Sequence, residues 1–206
     1  MDFLSDPAAI EKKSMEIIEQ ELAELELSGP EGKVIQRVIH ATADKEFAEL
    51  VIISSGAIEN GLRALEEGAN IVTDVNMLKS GISKRKTAEL GNEIKCFISD
   101  EETAVKAKEL GITRSMMSMR RAAKDDDNKI FAIGNAPTAL FELIRLIRDG
   151  QASPDLIVGT PVGFVGAKEA KAELEKLADV PWITVRGKKG GSAVAASVMN
   201  ALLYMI

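Results

Sequence analysis

The 206-residue sequence predicts a single α/β domain: a mostly parallel, twisted sheet of about five or six strands with helices on both faces. Three observations point there. Short β-branched or aliphatic runs at 70–74, 94–98, 129–133, 156–158 and 182–185 alternate with segments of helical spacing. The runs are continuous rather than alternately polar and apolar, as in strands covered on both faces. No repeat, low-complexity tract or linker divides the chain, whose length suits one domain with a large core.

Composition sets further bounds. Hydrophobic residues make up 46% and charged residues 28%, the profile of a folded globular chain. Aromatics are only 4%, so the core must be built from Ile, Leu, Val, Ala and Met. A net charge of -6 argues against a nucleic-acid partner, yet allows an anionic small molecule where arginines cluster locally. The one cysteine, Cys96, cannot form an internal disulfide, and with one histidine it is a poor basis for a zinc site. It reads as a small core residue. The N-terminus lacks the basic start and apolar stretch of a signal peptide, and no apolar run nears the roughly 20 residues of a membrane span. The expectation is a cytoplasmic protein with no membrane partner.

In chain order, a first helix over about 5–27 packs on the core, with Ser5 or Asp6 as N-cap and Pro7 in the first turn. Ile10, Ile17, Ile18, Leu22 and Leu25 form its apolar stripe, and Ser14 beside them is either tolerated there or faces a site. Ser28-Gly29-Pro30 ends it. The next helix carries Arg37, the only histidine, His40, and then Asp44 at i, i+3 and i+7. That spacing offers a fixed cation, a ring whose ordinary pKa of about 6.5 allows proton transfer near neutrality, and a carboxylate that could orient it. A solvated face with an incidental histidine has the same spacing. Residues 47–53 are apolar, without a pattern that decides helix or strand. Ser54-Ser55-Gly56 opens a helix that Gly68 closes, and the strand at 70–74 ends in Asp74. A loop at 77–81 and a short helix at 84–90 precede the strand at 94–98.

Helices follow at about 100–110 and 113–124, then an exposed turn, Asp125-Asp126-Asp127-Asn128. Contiguity makes its aspartates a solvated loop rather than convergent metal ligands. After the strand at 129–133 come helix 137–148, strand 156–158, helix 167–177, strand 182–185 and closing helix 192–204.

In such sheets ligands bind outside the carboxyl ends of the strands. Three loops there each open a helix: Gly134-Asn135-Ala136-Pro137-Thr138, the glycine-rich 159–167, and Arg186-Gly187-Lys188-Lys189-Gly190-Gly191-Ser192. In the last, Ser192 is a natural N-cap with three cations ahead of it. Helix N-termini attract carboxylates and phosphates. One such loop is an ordinary tight turn; three at equivalent positions, one of them basic, indicate an anion-binding rim. Thr113-Arg114-Ser115 adds a guanidinium suited to paired carboxylate contacts, whereas Arg120 and Arg121 read as solvated. The P-loop, the dinucleotide fingerprint and the Gly-x-Ser-x-Gly elbow are all missing. The residues thus suggest a carboxylate-rich ligand, a histidine acid or base, and no built-in metal or nucleotide cofactor.

These segments, taken together, resemble the precorrin-8X and cobalt-precorrin-8 methylmutase family. The resemblance rests on six motifs in order: 37–44 (RVIHATAD), 73–77 (TDVNM) with 80–82, 113–115 (TRS), 134–140 (GNAPTAL), 161–166 (PVGFVG) and 187–192 (GKKGGS). It spans residues 14–200. It implies an isomerase of cobalamin biosynthesis, needing no external cofactor, that moves a methyl group between neighbouring corrin carbons, from the eleventh to the twelfth, to give hydrogenobyrinate or cobyrinate. It also implies a homodimer with the tetrapyrrole near the subunit interface, and His40 as proton donor. By motif position Arg37, Arg114 and Ser14 become substrate contacts, and Ser115, Asn135, Thr138, Gly163, Lys188 and Ser192 join them as candidates. Two positions depart from the family pattern: Ala41 where a hydroxyl is frequent, and Lys188 where arginine is common. The alternative is a carrier that keeps the pocket without the chemistry.

Overall fold

The computed structural model describes residues 5–21 and 27–206. Its centre is a six-stranded sheet, ordered β1-β6-β5-β4-β2-β3. The strands are β1 (Val51–Ile53), β2 (Asn70–Thr73), β3 (Ile94–Lys95), β4 (Asn128–Ile133), β5 (Leu156–Gly159) and β6 (Trp182–Val185). All neighbours are parallel except β1, which runs antiparallel to β6 with Val51 opposite Val185. The undecided segment 47–53 thus splits into a four-residue helix, α3 (Phe47–Leu50), and the reversed edge strand.

Both faces are covered, as the continuous apolar strands require. On one face lie α2 (Gly29–Thr42), α4 (Ala57–Glu66), α5 (Asn76–Gly81) and α11 (Ser192–Leu203), packed on Ile71, Ile130, Ala132, Leu156, Val158, Ile183 and Val185. On the other, α8 (Arg114–Ala122), α9 (Pro137–Arg148) and α10 (Ala167–Leu174) cover Val72, Phe131, Ile133, Ile157 and Trp182. Successive strand residues therefore feed opposite cores, and α11, buried along most of its length, lies centrally against its face. Close backbone packing falls at glycine: a Cβ on Gly134 would lie 2.8 Å from Ser192 Cα, where the end of β4 meets the start of α11.

Helix α1 (Pro7–Glu21) starts where expected, with Asp6 accepting the Ala9 N–H at 2.7 Å. Residues 22–26 of the predicted helix, with Leu22 and Leu25 of its stripe, lie outside the described residues, and Leu27 is not helical. Ile10 and Ile17 are each 43% exposed, so the described part of the stripe is only partly covered. Several expectations need correction. Residues 77–81 belong to helix α5 rather than a loop. Strand β3 has two residues rather than five, because it pairs only with β2 at the sheet edge. Cys96, just past it, is half-buried rather than a core residue. Helices α6 (Lys84–Leu90) and α7 (Glu101–Glu109) complete the chain. The aspartate turn is tied down, with Lys95 Nζ 2.9 Å from Asp125, while Asn128 already starts β4 and is buried.

Candidate functional site

The five parallel strands send five loops to one end of the sheet, and α2 stops at the same end. The link is explicit: Lys189, in the loop after β6, donates to Asp44 and Glu46 just beyond α2, at 2.6 Å each. Helix α2 stops because Ala43 takes a left-handed conformation, φ 51°, with its N–H on Ile39. This overturns one expectation. Asp44 is off the helix and does not share the face of Arg37 and His40. Its carboxylate is held by Lys189, with a further bond from Glu46 N at 3.0 Å, and both interactions keep it below the usual aspartate value.

His40 is half-buried in the last turn of α2. It lines a cavity of about 280 Å³ with Ser14, Ile17, Ile18, Ile39, Ala43 and Lys45. The structure therefore unites Ser14 and His40 across α1 and α2, and adds Lys45, which motif spacing did not single out. Ser14 donates to Ile10 O at 2.9 Å, satisfying its hydroxyl within α1. Arg37, one turn earlier, lines a neighbouring pocket with Glu11 and Tyr204 rather than the His40 cavity. Its guanidinium pairs with Glu11 at 2.8 Å and stacks 5.2 Å from the ring of Tyr204, beyond the end of α11. Glu11 sits close enough to both to be drawn below its ordinary value, first by Arg37 and to a lesser degree by His40.

The anion rim is narrower than the sequence suggests. Asp74, at the end of β2 and fully buried, accepts from the backbone N–H groups of Gly134 at 3.1 Å, Asn135 at 2.8 Å and Ala136 at 2.7 Å. An internal carboxylate therefore fills the amino end of α9, which is not open to a ligand anion. Burial pushes this carboxyl above the ordinary aspartate value, while the three donors pull it back. Asn135 is exposed beside this nest and Thr138 is half-buried, receiving a bond from Thr113 Oγ1 at 3.2 Å. Thr113 also caps α8 by accepting from Met116 N at 3.1 Å, so it fixes the first turn that carries Arg114 and Ser115.

The basic loop is likewise mostly committed. Arg186 makes a two-pronged pair with Glu175, and Lys189 is bound as above. Lys171, only 1% exposed, donates through Nζ to Lys189 O at 2.5 Å, and burial lowers its pKa to about 8. Lys188 lies over the Phe164 ring at 5.3 Å. Gly163 binds the loop directly, its N–H meeting Lys188 O at 3.2 Å. Ser192 is not the N-cap of α11: Gly191 holds that place without a side-chain bond, and Ser192 is the first helical residue, 8% exposed.

On α8, Arg120 pairs with buried Glu142 at 2.6 Å and Arg121 with Asp100 at 2.9 Å, whereas Arg114 stands exposed at the start of the helix. Of the four rim cations Arg114, Arg186, Lys188 and Lys189, the described residues give a carboxylate partner to Arg186 and Lys189 and none to Arg114 and Lys188. Among those residues no group of three or more His, Cys, Asp or Glu could hold a metal ion, and no helix is long and apolar enough to cross a membrane.

Comparison with known proteins bears on this arrangement. Residues 9–205 match the family profile described as precorrin-8X methylmutase. A cobalt-precorrin-8 methylmutase of Priestia megaterium is 47% identical, over 95% of this chain and 87% of its own. One from Methanocaldococcus jannaschii is 42% identical, over 96% and 93%. The crystal structure of precorrin-8X methylmutase from Thermus thermophilus superposes with a TM-score of 0.89 at 38% identity, covering 96% of this chain and 95% of that one.

Proposed function

The chain belongs to the precorrin-8X methylmutase family, a family of isomerases, and from that premise we propose that His40 donates the proton that lets a methyl group migrate within a corrin precursor. A proton or hydrogen bond delivered to the macrocycle draws electron density from the neighbouring ring carbons. The bond holding the methyl weakens, the methyl moves from the eleventh to the twelfth carbon, and the proton returns to the imidazole. Atoms and charge balance within one molecule, so the step requires no second substrate.

The observation that carries this reading is the placement of the sole histidine in a mostly apolar cavity beside Ser14, at the end of α2 that Lys189 ties to the loop after β6. Apolar walls strengthen a hydrogen bond to the ring, and general-acid help of this type is worth about a hundred- to ten-thousand-fold in rate. Arg114 and Lys188 suit the acetate and propionate arms of such a substrate, because neither is spent on an internal carboxylate. Arg37 reaches a substrate carboxylate only by leaving Glu11, an exchange of one carboxylate for another. The half-covered stripe on α1 supports a homodimer as the working form, and a monomeric mass in solution would contradict that. The protein works, in this reading, in the cytoplasm.

The test is conversion of metal-free and cobalt-containing precorrin-8 side by side, followed in the visible spectrum. Wild-type protein converts at least one of them. His40→Ala retains binding of the coloured corrin and loses turnover by about a hundred-fold or more. An unchanged rate in that variant would refute the proton-donor role. Tight binding with no conversion by the wild-type protein would make it a carrier.

A further inference from the structure

The most exposed apolar side chains of the described residues are adjacent. Phe164 is 89% exposed and Val165 88%, with Met77 at 76%. The pair crowns the turn between β5 and α10, at the edge of the sheet where His40 and Arg114 also lie. Gly163, at φ 152°, and Gly166, at φ 78°, flank it in conformations that side chains rarely adopt. The backbone is thus shaped to lift a phenyl ring and an isopropyl group into solvent. Single exposed apolar residues are common, but a paired crest at a ligand edge is informative.

Its neighbours indicate what it meets. Lys188 Nζ lies 5.3 Å above the Phe164 ring, and Lys188 O holds Gly163 N at 3.2 Å. Crest and cation therefore form one unit, with an aromatic face beside a positive charge. A stable protein interface buries about 800 Å² on each partner, whereas a phenyl ring supplies roughly 150–250 Å². Two side chains are too small for such an interface by themselves and well matched to one flat ring system. A tetrapyrrole has that form: an apolar disc edged with carboxylates.

We propose that the Phe164–Val165 crest is a specificity element that packs against the face of the macrocycle while Lys188 takes one of its peripheral carboxylates. The inference rests on the methylmutase reading. Aromatic contact sets the height of the disc above the loops, and Lys188 sets its rotation. Linear carboxylates of equal charge lack the face and gain nothing from the crest.

The experiment titrates hydrogenobyrinate into wild-type protein, Phe164→Ser and Phe164→Trp, reading the visible band, with solution mass and melting temperature measured on each. The expected result is a ten- to hundred-fold weaker Kd for Phe164→Ser, with mass and melting temperature unchanged. Phe164→Trp restores affinity to within a few-fold of wild type. Equal affinity in Phe164→Ser and wild type overturns the proposal. A changed mass in Phe164→Ser, whatever its affinity, assigns the crest to a second copy of the chain and overturns it too. If wild-type protein neither binds nor converts any tetrapyrrole, the methylmutase reading itself fails and the crest proposal falls with it.

Discussion

Replacing Asp74 by asparagine tests how the amino end of α9 is held. One oxygen of the carboxylate accepts from Gly134 at 3.1 Å, and the other serves both Asn135 at 2.8 Å and Ala136 at 2.7 Å. Asparagine fills the same space with one acceptor oxygen. Turned to keep the two shorter bonds, it sets its NH2 group against the Gly134 N–H and leaves that buried donor unpaired, at about 1–3 kcal/mol. The two surviving bonds lose their charge assistance, about 1 kcal/mol each. Release of a buried charge recovers part of this, for a net loss of about 2–3 kcal/mol. In a chain of this size that lowers the melting temperature by roughly 4–12 °C.

Asp74→Ala orphans all three donors and is expected to cost about 1–3 kcal/mol more. Urea denaturation followed by circular dichroism measures both. An Asp74→Asn stability within about 0.5 kcal/mol of wild type, or an alanine variant as stable as asparagine, would refute the reasoning. The pH dependence gives an independent check. Because the folded carboxyl lies above its unfolded value, Asp74 contributes most below the unfolded pKa, and that contribution is lost as pH rises through the folded one. Asp74→Asn therefore compares best with wild type on the alkaline side of this range.

Other outcomes follow from the same geometry. Lys171, with its pKa lowered from 10.5 to about 8 by burial, carries a charging cost of about 3 kcal/mol at neutral pH. The unfolded chain binds the extra proton, so wild-type stability rises by roughly 2 kcal/mol relative to Lys171→Met between about pH 7 and about pH 9.5, measured by denaturant titration. Gly134→Ala sets a methyl 2.8 Å from Ser192 Cα and 3.0 Å from Ser192 N. It should cost about 1–3 kcal/mol and weaken substrate binding by shifting the start of α11; native stability would contradict the packing described. Arg120→Ala removes one of two partners from Glu142, which is 2% exposed, and is expected to lower stability by about 1–3 kcal/mol. Arg114→Ala should leave stability within about 0.5 kcal/mol and raise KM, so comparing the two variants by melting and kinetics separates structural from substrate-facing arginines.

The strands were legible because both faces of the sheet are buried, which writes each interior strand as an unbroken apolar run. The reversed strand β1 was not, because three residues preceded by one turn of helix have no period to read. The candidate residues were legible by type and less so by role. Asp44 follows His40 at a helical interval, yet a left-handed Ala43 ends the helix first, and no residue type announces that conformation as a glycine would have done. The α9 loop looked like an anion site because its sequence is one. Its occupant, Asp74, lies 60 residues away at the end of another strand, and only the parallel pairing of β2 with β4 brings it there. The commitment of Arg186 and Lys189 to Glu175, Asp44 and Glu46 was hidden for the same reason: a charge shows in sequence, its partner only in space.

The sheet ends in its two shortest strands, three residues in β1 and two in β3, around interior strands of four to six. Edges this brief present few open backbone donors and acceptors to another chain. The molecule is thereby guarded against growing by strand addition into fibres or swapped aggregates. Whatever copies or partners it meets must be met through helices and loops, where sequence can discriminate, rather than through backbone, where it cannot.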